Sequence, residues 1–184
     1  ILFTWKGGKM EQFPRILHKF VNRHKFIGIY PQGYLNSWNL GKEPSKANDI
    51  YFIASIVDNL EKVQKIKSKN YFAVGFSNGG GLVNRLVLET NIFNSVAVLV
   101  SQLTEELWNN FKTVNKTSIL QINGLKDKIV PFSGGKAKMG HKFFSALNSI
   151  EHWAKLSNCE KHQTQFDTAF GNKIYKFPKC PKSL

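Results

Sequence analysis

The stretch Gly75-Phe76-Ser77-Asn78-Gly79 lies between an apolar run, Tyr71–Val74, and a helix-like segment, Gly80–Glu89. A serine on a sharp turn between a strand and a helix points its hydroxyl away from the backbone, where a base can reach it. The flanking glycines remove side chains that would crowd such a turn. The pattern predicts Ser77 as a nucleophile. The alternative is a glycine-rich turn in which Ser77 only caps the following helix.

Short apolar strands alternate with amphipathic helices on both sides of this turn. The predicted strands are Ile1–Thr4, Phe26–Tyr30, Tyr71–Val74, Ser95–Val100, Ser118–Ile122 and Lys173–Phe177. The predicted helices are Phe13–Arg23, Lys46–Ser68, Gly80–Glu89, Thr104–Phe111 and Lys142–Leu156. This alternation predicts one α/β domain over residues 1–184, with a mostly parallel central sheet and helices on both faces.

The chain is strongly basic, with 26 Lys+Arg against 12 Asp+Glu and a net charge of +14. Two interpretations stay open: lysine-rich faces that are simply solvated, and weak attraction to acidic polymers or surfaces. Specific nucleic-acid binding is not expected, because no aromatic-interleaved basic motif accompanies the lysines. No run approaches the roughly 18 apolar residues of a membrane span.

Two cysteines, Cys159 and Cys180, cannot supply the four ligands of a structural zinc site. We therefore expect neither a metal nor another cofactor. The two residues either form a disulfide or remain free thiols. At the other end of the chain, Ile1-Leu2-Phe3-Thr4 starts directly as a strand with no signal peptide before it, so we expect that the true beginning of the protein is missing.

A nucleophilic serine needs a base that is oriented by a carboxylate, in the chain order serine, acid, histidine. Asp127 fits the acid, since it follows strand Ser118–Ile122 and the carboxyl ends of parallel strands carry the ligand sites. The alternative for Asp127 is a turn aspartate paired with Lys126 or Lys128.

An oxyanion hole needs two backbone N–H groups aimed at the developing negative charge. Asn78, directly after the nucleophile, would give one of them. Gly7, in the turn after the first strand, would give the other, although Gly7-Gly8 is also simply a flexible turn.

No histidine follows a further core strand after Asp127, as the base should. We expect surface positions for all the candidates, with His152 exposed on its helix. The later histidines are His141, His152 and His162, and the earlier ones are His18 and His24.

A chain-long set of motifs resembles the polyhydroxybutyrate depolymerase-like esterases, a group of α/β-hydrolases that includes feruloyl and acetyl-xylan esterase relatives. The matching stretches are Tyr30-Pro31-Gln32-Gly33, Ser37-Trp38-Asn39, Asn48–Ile53, Gly75–Gly80, Gly124–Asp127, Val130-Pro131-Phe132, Gly134-Gly135 and Trp153–Cys159. The resemblance implies an α/β-hydrolase fold with Ser77 as nucleophile and Asp127 as the acid. Trp38, inside one matched stretch, is predicted to contact the substrate.

The resemblance further implies a secreted serine ester hydrolase that attacks polyester or plant-wall ester bonds, and it favours a Cys159–Cys180 bridge. The family carries His-Gly pairs where this chain has Trp5-Lys6-Gly7 and Asn123-Gly124. The family's catalytic histidine follows one more strand beyond the region of Cys180. We therefore expect the last strand and the base to lie beyond Leu184 and the activity to be impaired. The alternative is a non-catalytic binding protein for esters, glycans or acidic polymers.

Overall fold

The fold is known from a computed structural model that describes residues 1–66, 68, 70–110, 117–167 and 169–180. The strands are β1 (Leu2–Phe3), β2 (Phe72–Phe76), β3 (Ser95–Leu99), β4 (Ser118–Ile122), β5 (Gly135–Lys136), β6 (Lys142–Phe143), β7 (Gln163–Asp167) and β8 (Asn172–Lys176). The helices are α1 (Gln12–His24), α2 (Asp49–Lys62), α3 (Asn78–Glu89), α4 (Glu105–Asn110) and α5 (Ala146–Leu156).

Strands β1 to β4 form a parallel sheet in the order β1-β2-β3-β4, which confirms the predicted α/β class. Phe76 lies opposite Leu99, and Leu99 lies opposite Ile122, so β2, β3 and β4 end level with one another. The segments that follow these strands therefore start from one edge of the sheet.

Helix α3 packs against β1, β2 and β3 and is buried over most of its length. Leu82 and Leu86 have no exposed surface, and they share one apolar cluster with Ile53 of α2 and Trp153 of α5. This cluster fixes the start of α3, and therefore the turn at Ser77, relative to the sheet.

Strand β4 lies at the end of the four-stranded sheet. Its Leu120 and Ile122 are 55% and 51% exposed, which is unusual for a strand of a parallel sheet. A groove of about 1970 Å³ separates β4 from β8, and Ile174 and Tyr175 belong to its lining. Strand β4 therefore borders a groove of mixed polar and apolar lining.

Two antiparallel hairpins accompany the sheet, β5 with β6 and β7 with β8. A disulfide joins Cys159 to Cys180, with an S–S distance of 2.00 Å, and closes the segment that contains the second hairpin. The bridge is thus confirmed over the alternative of two thiols. None of the helices in the described ranges is both long enough and apolar enough to cross a membrane.

The predicted strand Phe26–Tyr30 is wrong. In this segment Ile29 accepts one hydrogen bond from Leu2 N–H at 3.0 Å, but no regular ladder forms, and Pro31 brings no N–H to extend one.

Three predicted helices also need corrected boundaries. Helix α2 starts after Asn48, whose side chain accepts the Tyr51 N–H, and it ends at Lys62 instead of Ser68. Helix α5 starts after the capping Ser145, because Lys142–Phe143 is strand β6. Helix α3 starts at Asn78 instead of Gly80. The predicted end of α4, Phe111, lies outside the described residues.

Candidate active site

Ser77 is the residue between β2 and α3. Its φ of 53° and ψ of −115° are the mirror image of ordinary extended backbone, a region that glycine occupies readily and other residues rarely. Its N–H donates to Leu99 O at 2.8 Å and its carbonyl accepts Gly81 N–H at 3.0 Å. Its side chain makes no capping bond to α3. Ser77 therefore caps α3 only through its backbone, and the hydroxyl is not used to satisfy the helix.

The glycines around Ser77 are required by close packing. A Cβ at Gly75 would lie 2.2 Å from Gly79 O, and a Cβ at Gly79 would lie 2.5 Å from the carbonyl oxygens of Phe3 and Thr4. Real Cβ atoms essentially never approach that closely. The turn therefore presses against the end of β1 and brings the loop after β1 beside the start of α3.

Asn78 opens α3, so its N–H has no carbonyl partner one turn earlier within the helix. Its buried side chain accepts Trp38 N–H at 2.7 Å and donates to Trp38 O at 3.0 Å. One amide therefore holds both backbone polar groups of Trp38 and fixes the Ser37–Trp38 segment to the start of α3. The sequence predicted a role only for the backbone N–H of Asn78. That role, stabilising the oxyanion, stays a prediction.

Gly7 adopts a φ of 84°, which glycine tolerates without strain. Its N–H donates to Asn36 O at 2.7 Å. Gly7 must leave this bond before it can bind an oxyanion, so its role also stays a prediction. In the part of the chain that the structure describes, the neighbouring Lys6 N–H has no hydrogen-bond partner.

Trp38 has no exposed surface. Its Nε1–H donates to Thr4 O at 3.0 Å, and its ring meets Phe3 edge to face at 5.3 Å between centroids. A side chain without exposed surface does not reach a ligand in solution. Trp38 therefore acts as a core residue that attaches its loop to β1. It must leave this position before it can contact a substrate, so that contact stays a prediction.

Asp127 lies in the loop after β4 and is half-buried. Its Oδ1 accepts Ile129 N–H at 2.8 Å and Val130 N–H at 3.0 Å. Among the described ion pairs, none joins Asp127 to Lys126 or Lys128. One carboxylate oxygen thus fixes the turn, while Oδ2 can accept a hydrogen bond from another group.

Ser77 and Asp127 follow strands that end level with one another, with only β3 between them. Two strand spacings separate β2 from β4, which is about 10 Å. Both loops therefore begin at the same edge of the sheet. The separation of their starting points is comparable to the length of an imidazole ring with a hydrogen bond at each end.

A network of amide side chains braces the loop that carries Asp127. Asn123 Nδ2 donates to Gln102 Oε1 at 2.9 Å, and Gln121 Nε2 donates to Asn123 Oδ1 at 2.8 Å. Gln102 Nε2 also donates to Pro131 O at 2.9 Å. The network holds the loop at its start, Asn123, and at its end, Pro131. Sequence reasoning missed it, although three amides near the ends of β3 and β4 are the signal that could have indicated it.

His141 is buried, and its Nε2 lies 2.8 Å from Oε1 of the buried Glu43. Burial raises the pKa of Glu43, but hydrogen bonds from His141 and Leu40 N–H outweigh it, so the pKa lies below its ordinary value. The pair attaches the β5–β6 hairpin to the loop before α2. The expected surface position of His141 is therefore wrong.

The other described histidines pack against aromatic rings. His152, expected to be exposed, is half-buried between two rings. The side chain of His18 lies outside the described residues. Among the described side chains, no histidine contacts Ser77 or Asp127, and no cluster of three His, Cys, Asp or Glu could hold a metal. The ring contacts are Trp108 and Phe144 for His152, Tyr175 and Phe177 for His162, and Phe20 and Phe26 for His24.

Comparison with known proteins finds distant relatives that are named as esterases. Feruloyl esterase B of Piromyces equi is 24% identical over 78% of this chain and 28% of its own length. NocK of Nocardia uniformis, named as an esterase, is 28% identical over 70% of this chain and 40% of its own length. A protein of Aspergillus niger named as feruloyl esterase C is 29% identical over 71% of this chain and 49% of its own length.

The chain matches only about a quarter to a half of the length of these relatives. No family model and no solved structure matches it. The chain is therefore similar to part of several proteins that are named as esterases.

Proposed function

We propose that this chain is the nucleophile-bearing part of an extracellular serine ester hydrolase with an α/β-hydrolase fold, which acts on polyester or plant-wall ester bonds. The observation that carries the proposal is the backbone of Ser77. A non-glycine residue persists at φ 53° and ψ −115° only where its surroundings enforce it, and such strain clusters at active sites. The uncapped hydroxyl and the relatives named as esterases support the same function. The disulfide supports the extracellular location.

In the proposed reaction, a base takes the Ser77 Oγ proton while the oxygen attacks the ester carbonyl. Asn78 N–H stabilises the resulting oxyanion, together with Gly7 N–H or the neighbouring Lys6 N–H. The tetrahedral intermediate collapses, the alcohol leaves with the proton from the base, and an acyl ester on Ser77 remains. Water then attacks this ester through the same base, which releases the acid and restores the hydroxyl.

We propose that the base comes from a segment outside these 184 residues, which pairs with the edge of β4. Three observations support this. No described histidine contacts Ser77 or Asp127. Leu120 and Ile122 of β4 are about half exposed and line the groove beside β8. Oδ2 of Asp127, whose loop belongs to the same groove, can accept a hydrogen bond from an imidazole. Without its base, a serine loses about 10³-fold or more in rate.

Labelling with a fluorophosphonate probe tests the nucleophile and the base together. The expected result is slow labelling that is lost in Ser77→Ala, retained in the matched control Ser133→Ala, an exposed serine, and accelerated by added imidazole. Imidazole should accelerate it because a soluble base replaces the missing one. Fast labelling without imidazole would show that a histidine of this chain serves as the base.

The second candidate is a non-catalytic binding protein with the same fold. The lack of a histidine contact to Ser77 in the described part of the chain favours it. A folded sample that stays unlabelled at high imidazole, yet binds an ester or glycan, would support this candidate over the hydrolase.

A further inference from the structure

Six lysines stand on three segments near the edge of the sheet where Ser77 lies. We call this set the lysine rim. The three segments, residues 5–9, 123–130 and 133–141, contain these six lysines and one acidic residue, Asp127. The whole chain, with 26 Lys+Arg and 12 Asp+Glu, has a ratio of about two to one. The rim consists of Lys6, Lys9, Lys126, Lys128, Lys136 and Lys138, all exposed.

The topology brings the three segments to one end of the sheet. The first follows β1 and the second follows β4, and the carboxyl ends of parallel strands share one edge. The third is the β5–β6 hairpin, whose Phe143 bridges to Thr104 in the segment after β3. Phe144 N–H also donates to Leu103 O at 3.0 Å. The hairpin therefore belongs to the same end as Ser77 and Asp127.

The charges of the lysine rim are not neutralised within the described part of the protein. The described ion pairs engage Lys42 and Lys142 with the acids at the start of α4, and Lys62 and Lys179 elsewhere. No rim lysine takes part in one of them. In a chain of net charge +14, unpaired cations around a site attract an anionic ligand over about 8–10 Å at physiological salt.

We propose that the lysine rim binds the carboxylates of an acidic polysaccharide and thereby presents an ester on that polymer to Ser77. This inference rests on the proposed function, since it names the substrate class for the same site. A polymer fits better than a small anion, because the lysines lie on three separate segments instead of converging on one point. A polysaccharide fits better than a nucleic acid, because no aromatic-interleaved basic motif is present to stack bases.

Binding to polygalacturonate, measured in the Ser77→Ala background so that no turnover occurs, tests the proposal. One variant replaces four rim lysines with glutamine, and the matched control replaces four exposed lysines on or directly after α1, α2 and α5. Both variants lose the same net charge. The rim set is Lys6, Lys126, Lys128 and Lys138, and the control set is Lys19, Lys25, Lys65 and Lys155.

The rim variant should lose at least about fivefold in affinity, since each of its four exposed ion pairs contributes about 1.5- to 5-fold. The control should lose much less, and neutral arabinoxylan should bind neither protein. Binding should also weaken as salt rises. Equal losses in the two variants, no binding by the parent, or tighter binding to single-stranded DNA of similar charge would overturn the proposal. Circular dichroism establishes that both variants are folded.

Fluorophosphonate labelling of the chain with Ser77 intact separates this inference from the proposed function. If polygalacturonate binding depends on the lysine rim but Ser77 is not labelled, the rim is a binding site and the proposed hydrolase activity is refuted. If Ser77 is labelled but polygalacturonate binding does not depend on the lysine rim, the proposed hydrolase activity is supported and the proposed role of the rim is refuted.

Discussion

Replacing Ser77 with glycine should stabilise the protein even though it removes the proposed nucleophile. A non-glycine residue in a sparsely populated backbone region costs about 1–3 kcal/mol. Ser77 occupies such a region with its φ of 53° and ψ of −115°. Glycine adopts the same angles without a Cβ clash, but it loses about 0.5–1 kcal/mol more backbone entropy than alanine on folding.

The comparison that isolates the strain is Ser77→Gly against Ser77→Ala, because both variants lack the hydroxyl. The free energy of unfolding should be about 1 kcal/mol higher for Ser77→Gly than for Ser77→Ala, which corresponds to about 3 °C in Tm for a chain of this size. Urea unfolding followed by circular dichroism measures it directly.

Ser157 provides the matched control, since its φ of −87° and ψ of 6° are ordinary. There the glycine variant should be less stable than the alanine variant. If Ser77→Gly is also less stable than Ser77→Ala, the turn is not strained and the argument from its backbone fails.

Three further outcomes are expected. Gly79→Ala should lower the free energy of unfolding by about 1–3 kcal/mol or more, because its Cβ would lie 2.5 Å from two carbonyl oxygens; an unchanged urea midpoint would contradict the packing. Replacing Cys159 and Cys180 with alanine should cost about 3 kcal/mol, since the bridge closes a loop with a separation of 21 residues; thermal melting checks this, and a loss below about 1 kcal/mol would show that the bridge adds little. Because the pKa of Glu43 is lowered, the folded chain binds a proton at this carboxylate less tightly than the unfolded chain does. The ionised Glu43 therefore stabilises the fold fully above the ordinary glutamate pKa of about 4.3, and this stabilisation is lost as the pH falls below that value. Parent and Glu43→Gln should therefore converge in stability in acid, and a difference independent of pH would contradict the assignment.

The sequence predicts the sheet well because each of its strands is an apolar run of its own. The predicted and observed bounds of β4 agree at both ends, since the polar Thr117 and Asn123 flank its apolar segment. The turn at Ser77 is predictable for a similar reason, because glycine spacing is a local signal. Strand β7 was missed, since Gln163–Asp167 is polar and pairs with β8 only through a hairpin.

Features that depend on distant parts of the chain could not be predicted. Phe26–Tyr30 has the composition of a strand, but a ladder needs a partner as well as a propensity. The contact between Glu43 and His141 joins residues 98 positions apart. Trp38 illustrates the same limit, because its burial depends on Phe3 and Thr4. The sequence around a loop tryptophan does not distinguish one that contacts a ligand from one that packs in the core.

A trapped acyl-enzyme would show directly that Ser77 is a nucleophile. The chain is incubated with p-nitrophenyl acetate and imidazole, quenched in acid, digested and examined by peptide mass spectrometry. We expect an acetyl group on the peptide that contains Ser77, located on that serine and absent from the same peptide in Ser77→Ala. Acetyl groups that fall only on lysines, equally in the parent and in Ser77→Ala, would contradict it.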